Sequence, residues 1–571
     1  MKASINIAFL GNCTTDYLAR FLKEECKKND IGANIYNCPY NQYHQETLNT
    51  ESGFYRSQPE LTVLFLEGSE LFPDWYTFTT LTSSPEKKYA LMESIFESIT
   101  AVVDSIHTNS ATKIILHNFK IPYFSPLGIL DSKNYPGLKD MIALLNLKLG
   151  EWAKDKDYVY LFDYGGLCAH FGYENATDPK MYYIAKNTIS FPFTKILVRE
   201  YMRYIAPFKF MTKKCLVLDL DNTLWGGVAG EDGISGIKLD LAGPGKSFYD
   251  FQREILNLYH KGIILAVNSK NNAEDALEII ENHPHMVLRK HHFSSLRMNW
   301  QDKVANIKEI AQELNIGMDS MVFFDDNPVE REYVKSMLPE VTVADVPDDT
   351  SKYADTLKKM IEFEFFKITD EDLNRNQMYE ANQKRLESQQ QFQNLEDYLA
   401  SLQIKVILQH ANSFSIPRIA QLTQKTNQFN MTTKRYTQTE IENMARSNNF
   451  LVFSCTVLDK FGDNGIVGVC IIELKDDTAH IDTFLMSCRV LGRNVEYALM
   501  NKIVSLLKEK GIKTVFGLYL RTEKNRANEN FYAQAGFSPE SVNEKGTLYR
   551  ISTEQKLEHI PYIDFVLENE E

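Results

Sequence analysis

Four hydrophobic runs in the middle of the chain each end in the residue that a phosphoryl-transfer site needs. They read CLVLDLDNT (Cys215 to Thr223), IILAVNS (Ile263 to Ser269), NWQDK (Asn299 to Lys303) and MVFFDDNP (Met321 to Pro328). A continuous apolar run bounded by polar residues suits a strand buried on both faces of a parallel sheet. Asp219, Ser269 and Asp325 are therefore expected at the carboxyl ends of strands, where open α/β sheets bind their ligands.

The chemistry follows from the residue types. A carboxylate such as Asp219 can attack phosphorus and form an aspartyl-phosphate, which divides one hard displacement into two easier ones. Asp221, two residues on, is placed to protonate the leaving oxygen and then to take a proton from the incoming nucleophile. Carboxylates beside a phosphoryl group repel it unless a cation intervenes, and Mg²⁺ is the expected cation. Its oxygen ligands are expected from the Asp219 carboxylate, the Asp221 backbone carbonyl and the Asp325/Asp326 pair. Ser269 is expected to hydrogen-bond a phosphoryl oxygen, and Lys303 to neutralise both the nucleophile and the phosphoryl group. Glu330 reads as an acid in the first turn of a helix rather than a further metal ligand.

This set resembles the haloacid dehalogenase (HAD) phosphotransferase superfamily, whose motifs are DxDxT, a Ser/Thr, a Lys and an acidic pair. Here they stand as Asp219/Asp221/Thr223, Ser269, Lys303 and Asp325/Asp326. The runs KCLVLDLDNTLWGGVAGEDG (Lys214 to Gly233), NSKNN (Asn268 to Asn272), MNWQDKVANI (Met298 to Ile307), FFDDNPVERE (Phe324 to Glu332) and TQKTNQFNMTT (Thr423 to Thr433) look like the FkbH-like branch. That resemblance covers nearly the whole chain. It implies dephosphorylation of a glyceryl-type acyl unit, taken from a phosphorylated glycolytic donor, during transfer to an acyl carrier protein. The alternative is a phosphatase for a sugar phosphate or related small metabolite.

Length and composition set the outer limits. At 571 residues the chain should hold about three domains, because single cores stop growing near 250 to 300 residues. Three α/β domains are expected: a SGNH/flavodoxin-like domain over 1–205, a capless Rossmann-like HAD core over 206–352 and a GNAT-like domain over 403–571, with a helical linker over 353–402. The linker assignment rests on a Glu-, Gln-, Lys- and Leu-rich composition, its QQQFQ run (Gln389 to Gln393) reading as helix surface. The acidic end ENEE reads as a frayed tail. Only 45 positions separate Asp221 from Ala266 and 33 separate Ser269 from Asp302, which leaves little room for a cap domain.

No apolar stretch reaches the roughly 18 residues of a membrane span, and the N-terminus lacks a signal peptide's apolar core. The eight cysteines are scattered without a CxxC pair, so a cytoplasmic protein is expected, with no membrane partner. A formal net charge of −14 without an extended basic patch argues against nucleic acid. The same charge means that docking of an acidic carrier protein needs a local basic surface.

Each flanking domain carries its own resemblance. GNCTTD (Gly11 to Asp16) follows the first strand where SGNH hydrolases have GDS, and Cys13 falls at the nucleophile position. The later DxxH is not evident, since DPKMYYIAK (Asp178 to Lys186) has Met181 where the His should sit. A degenerate, non-hydrolytic domain is expected, with Cys13 kept as a candidate thioester carrier. Cys215 raises the same question, although cysteine inside an apolar strand is usually a small buried hydrophobe. In the last domain, CRVLGRNVEYALM (Cys488 to Met500) resembles the GNAT loop (Q/R)xxGx(G/A), which holds the pyrophosphate of coenzyme A at a helix N-terminus. Arg489 and Gly492 match that loop and Asn494 departs from it, so coenzyme A or a carrier's pantetheine arm is the ligand implied. GPGKS (Gly243 to Ser247) lacks the first P-loop glycine, Asp240 standing there, and reads as a turn entering a helix.

Overall fold

The structure is a computed structural model and describes residues 3–209, 211–389 and 391–568. Gln390 in the glutamine run and the last three residues of the ENEE end lie outside the described residues. The chain divides into two compact units, Met1–Lys209 and Phe210–Glu571.

The first unit holds strands β1 (Ala3–Gly11), β2 (Ile31–Asn37), β3 (Leu61–Phe65), β4 (Lys113–His117) and β5 (Val159–Phe162) in the order β2-β1-β3-β4-β5. All pairings are parallel. This is the flavodoxin-like order, with its switch point between β1 and β3. The apolar strand residues are enclosed by long helices such as Pro85–Asn109 and Leu138–Ala153.

The second unit contains two sheets. Strands β6 (Cys215–Leu218), β7 (Ile264–Ser269), β8 (Phe293–Met298), β9 (Met321–Phe324) and β10 (Thr342–Val343) form a parallel sheet in the order β10-β9-β6-β7-β8. Strands β6, β7 and β9 are buried at every position, as unbroken apolar runs require. Among the described residues, the helices between β6 and β7 are Ala229–Gly236 and Gly245–His260. Those between β7 and β8 are Ala273–Asn282 and a short 3₁₀ turn, so the core carries no cap domain. GPGKS does enter the helix Gly245–His260.

The other sheet comprises β11 (Ile404–His410), β12 (Phe450–Asp459), β13 (Gly462–Lys475), β14 (Thr478–Met486), β15 (Thr514–Leu520), β16 (Ser538–Asn543), β17 (Gly546–Ser552) and β18 (Ile563–Glu568). Its order is β16-β17-β15-β14-β13-β12-β11-β18. The pairing is antiparallel except for β14 with β15 and β11 with β18. The helix Val495–Glu509 packs Leu499, Ile503 and Leu507 into its core.

The segment from Tyr353 onward does more than join these sheets. Tyr353, Leu357 and Phe363 are buried in the core of the β6–β10 sheet with Phe251 and Phe324, and Tyr379 is buried beside Cys215 and Phe323. Arg385, from the helix Arg375–Gln389, forks onto Asp459 at 2.7 and 2.8 Å, and Arg493 reaches the same carboxylate at 3.0 Å.

Candidate active site

Asp219 and Asp325 each follow a strand of one adjacent pair, β6 and β9, in which Leu218 lies opposite Phe324. The Asp219 N–H donates to the Phe324 carbonyl at 3.0 Å, extending the ladder one residue past the strand end. Both carboxylates are buried, and Lys303 Nζ bridges them, lying 2.8 Å from Asp219 Oδ1 and in direct contact with Asp325 Oδ2. Asp219, Asp325 and Asp326 each bring a carboxylate oxygen to within 4.8 Å of the others, a hard-oxygen set suited to a divalent cation such as Mg²⁺.

The charges respond to this crowding. Burial pushes the Asp325 carboxyl upward and the Asp219 charge adds to it, with Lys303 opposing. Asp326 is raised by the same two causes in the same order. For Lys303, burial alone would lower the ammonium's pKa, but Asp219 and Asp325 outweigh it and hold the group well above its ordinary value. A dication here would therefore compete with protons for the acidic pair.

Asp221 is half-buried and is not one of that trio. Its Oδ1 accepts from Trp225 Nε1 at 2.9 Å and from the Ala229 N–H at 3.0 Å, and its Oδ2 accepts from Asn271 Nδ2 at 2.9 Å. Burial raises its pKa against these three donors. Its side chain thus stands outside the carboxylate group, which leaves the backbone carbonyl as the ligand expected from this residue. Thr223 is buried, and its Oγ1 receives the Asp326 N–H at 3.2 Å, tying the DxDxT loop to the acidic pair.

Ser269 is the buried last residue of β7, its Oγ 3.4 Å from Asn271 Nδ2. Lys303 does not end a strand. β8 stops at Met298, and Lys303 opens the helix Lys303–Glu313, whose N-cap Asp302 accepts from the Ala305 N–H at 2.9 Å. The correction has a simple cause: NWQDK is polar, and Asp followed by helix-forming residues is a start signal. Asn268 Nδ2 donates to the Lys303 carbonyl at 2.9 Å while Asn306 Nδ2 donates to Asn268 Oδ1 at 3.0 Å, fixing the helix start to β7. Asn268 and Asn271 stand in the NSKNN run, but nothing in its spacing marks them as supports. Glu330 lies in the first turn of the helix Pro328–Met337 and pairs with Lys270 at 2.5 Å.

Three family models match the chain: "FkbH, N-terminal domain" over residues 6–203, "NLI interacting factor-like phosphatase" over 214–364 and "Acetyltransferase (GNAT) family" over 416–537. The chain belongs to the FkbH-like family. This FkbH-like protein is a HAD-superfamily phosphatase with a GNAT-type domain behind the phosphatase core. Among solved structures it is similar to the N-terminal part of protein BF1531 from Bacteroides fragilis, which contains a phosphatase domain and is complexed with Mg. That likeness has 30% identity over 64% of this chain and 95% of the other, with a TM-score of 0.58. The ribosomal-protein-S18-alanine N-acetyltransferase of Escherichia coli aligns at 12% identity over 27% of this chain and 98% of its own, with a TM-score of 0.22. No curated protein matches the chain.

The remaining candidate residues of this FkbH-like protein are placed differently from the phosphatase set. Cys13 is buried after β1, its Sγ 3.9 Å from the Phe65 carbonyl, and burial followed by the Glu67 charge pushes its thiol well up. Met181 lies in the helix Pro179–Ala185, and its N–H caps onto Asp178 Oδ1 at 3.0 Å. Cys215 is buried inside β6 and its thiol is raised by burial alone. Neither environment favours a thiolate. Arg489 and Gly492 stand in the loop before the helix Val495–Glu509. The Arg489 guanidinium contacts Met378 Sδ and lies 3.3 Å from Ser487 Oγ, held by the helix Arg375–Gln389 and its own loop. No helix among the described residues is long and apolar enough to cross a membrane.

Proposed function

We propose that this chain is a Mg²⁺-dependent phosphatase that works through an aspartyl-phosphate and removes the phosphate of a glyceryl-type acyl unit as that unit passes to a carrier-protein thiol. The grouping of Asp219, Asp325 and Asp326 around Lys303 carries the reading. The Asp219 carboxylate attacks phosphorus, the bond to the leaving oxygen breaks, and that oxygen takes a proton from Asp221. Burial raises the Asp221 pKa, which suits it to this part, and Trp225 and Asn271 aim the carboxyl. Water then attacks phosphorus and gives a proton to Asp221, and phosphate leaves with Asp219 restored. Lys303 sets a positive charge against Asp219, and the Ser269 hydroxyl donates to a phosphoryl oxygen.

Asp219, Asp325, Asp326 and the Asp221 carbonyl would hold Mg²⁺, which offsets the charge of carboxylates and phosphoryl group alike. The Mg complex of the similar phosphatase domain from Bacteroides fragilis supports that choice of cation. The glyceryl reading draws on the match to the FkbH N-terminal domain and on a phosphatase core without a cap, which suits a substrate presented on a macromolecule. A cytoplasmic setting accords with eight cysteines that are all free.

The test incubates full-length protein with phosphorylated three-carbon acyl donors, Mg²⁺ and a panel of acyl carrier proteins, and reads carrier mass. A glyceryl-sized mass gain with release of phosphate is the expected result. Efficient turnover of a free sugar phosphate with no carrier loaded replaces this reading with that of a small-metabolite phosphatase.

A further inference from the structure

Strands β14 and β15 pair only from Thr478 opposite Thr514 to Ile481 opposite Gly517. Beyond that point β14 runs on to Met486 and β15 to Leu520, so their facing edges need other hydrogen-bond partners. The chain supplies them itself. Segment Phe429–Met431 lies along the gap: the Met431 N–H donates to the Phe484 carbonyl at 3.0 Å, the Met486 N–H to the Phe429 carbonyl at 3.0 Å and the Leu520 N–H to the Met431 carbonyl at 2.8 Å. Asn525 and Asn528 clamp it further, donating from their side chains to the carbonyls of Asn430 and Gln428, both at 2.9 Å. Phe429, Asn430 and Met431 are all buried, and the Phe429 ring meets Phe531 edge-on at 5.0 Å.

The loop before the helix Val495–Glu509 also has a buried acid beside it. The Glu496 carboxylate is buried in the first turn of that helix. Its Oε2 has no hydrogen-bond partner among the described residues. A pyrophosphate at this helix N-terminus would lie near a buried carboxylate. Arg493, the other cation of the loop, is spent on Asp459 at 3.0 Å and on the Arg489 carbonyl at 2.7 Å.

We propose that the GNAT-type domain carries its own occupant, Phe429–Met431 filling the gap between β14 and β15, so that it binds neither coenzyme A nor a pantetheine arm. Pantetheine is an extended arm with two amides and would need an open strand edge to pair with. That edge is taken by residues of the TQKTNQFNMTT run. The inference holds whichever phosphoester the phosphatase core acts on, and its failure leaves the phosphatase reading untouched.

The experiment uses full-length protein, with coenzyme A and 4′-phosphopantetheine as probes in calorimetry, and hydrogen exchange of the peptide spanning residues 426–433. The expected result is no saturable heat with either probe at about 1 mM, where a ligand of 10 μM affinity would be in hundredfold excess. Amides of Phe429–Met431 should exchange as slowly as those of β14, with or without probe. One-to-one binding tighter than about 100 μM would overturn the proposal. So would loop-like exchange at Phe429–Met431 that slows when coenzyme A is added, since that would make the segment a displaceable lid.

Discussion

Asn271 donates its side-chain N–H to the Asp221 carboxylate at 2.9 Å, joining the loop after β7 to the loop after β6. The bond favours the ionised carboxylate and so works against the burial that raises the Asp221 pKa. Asn271→Ala should lower kcat by about tenfold through loss of aim. It should also move the alkaline limb of the kcat profile upward, because the acid then holds its proton to higher pH. A pH–rate series on aryl phosphate reads both effects, and a tenfold loss without the shift would leave Asn271 a merely structural role.

Asp219→Asn keeps the shape of the nucleophile and removes its charge. Turnover should fall by at least about a thousandfold, in line with losses at other covalent nucleophiles. Circular dichroism should be unchanged. Retained turnover in the folded variant would take Asp219 out of the mechanism.

Chelation should abolish turnover and added Mg²⁺ restore it. The affinity should depend on pH with a definite sign. Asp325 and Asp326 have raised pKa values, so protons compete with the cation above the ordinary carboxylate range. Calorimetric Mg²⁺ affinity should rise about tenfold or more from about pH 5.5 to about pH 7.5. The same shifts make the metal-free protein lose stability as pH rises through the raised values, since its folded state binds more protons there than the unfolded chain.

Cys13→Ala and Cys215→Ala should leave carrier loading within about twofold of the parent, because both thiols are buried and pushed up. Intact-mass analysis during turnover should find no acylated enzyme. An acyl adduct on either cysteine would reverse this assignment.

The Arg385 fork on Asp459 joins the helix Arg375–Gln389 to the GNAT-type sheet, with both side chains buried. Arg385→Met should cost about 3 kcal/mol in urea unfolding, the usual size when a buried charge loses a partner. Arg493 remains on Asp459 and keeps the loss from being larger. A change below about 0.5 kcal/mol, as at an exposed pair, would show that the node is not closed.

The phosphatase core was legible because buried parallel strands leave unbroken apolar runs, and the residue after such a run is placed by the strand itself. Asp219, Ser269 and Asp325 were found in that way. Lys303 was found by order and residue type, but its setting was misread, since a capped helix start contributes no apolar run. Asn271 and Asn268 act across loops distant in sequence, and no period or spacing announces such a meeting. Tyr353, Leu357 and Tyr379 are too sparse in a polar stretch to signal packing, so a composition that reads as a joining segment conceals part of a core. Phe429–Met431 pairs over three residues, too few to leave an alternating pattern.

Because Leu218 and Phe324 are directly paired, the roots of Asp219 and Asp325 are separated by the spacing between neighbouring strands, about 4.8 Å in any sheet. The ladder acts as a ruler for the acidic pair. Repacking the apolar side chains beneath it changes stability without changing that separation, whereas a one-residue slip between β6 and β9 turns one acid away from the other. Sequence drift in this core is thus free to vary volume and shape, and is held only to register.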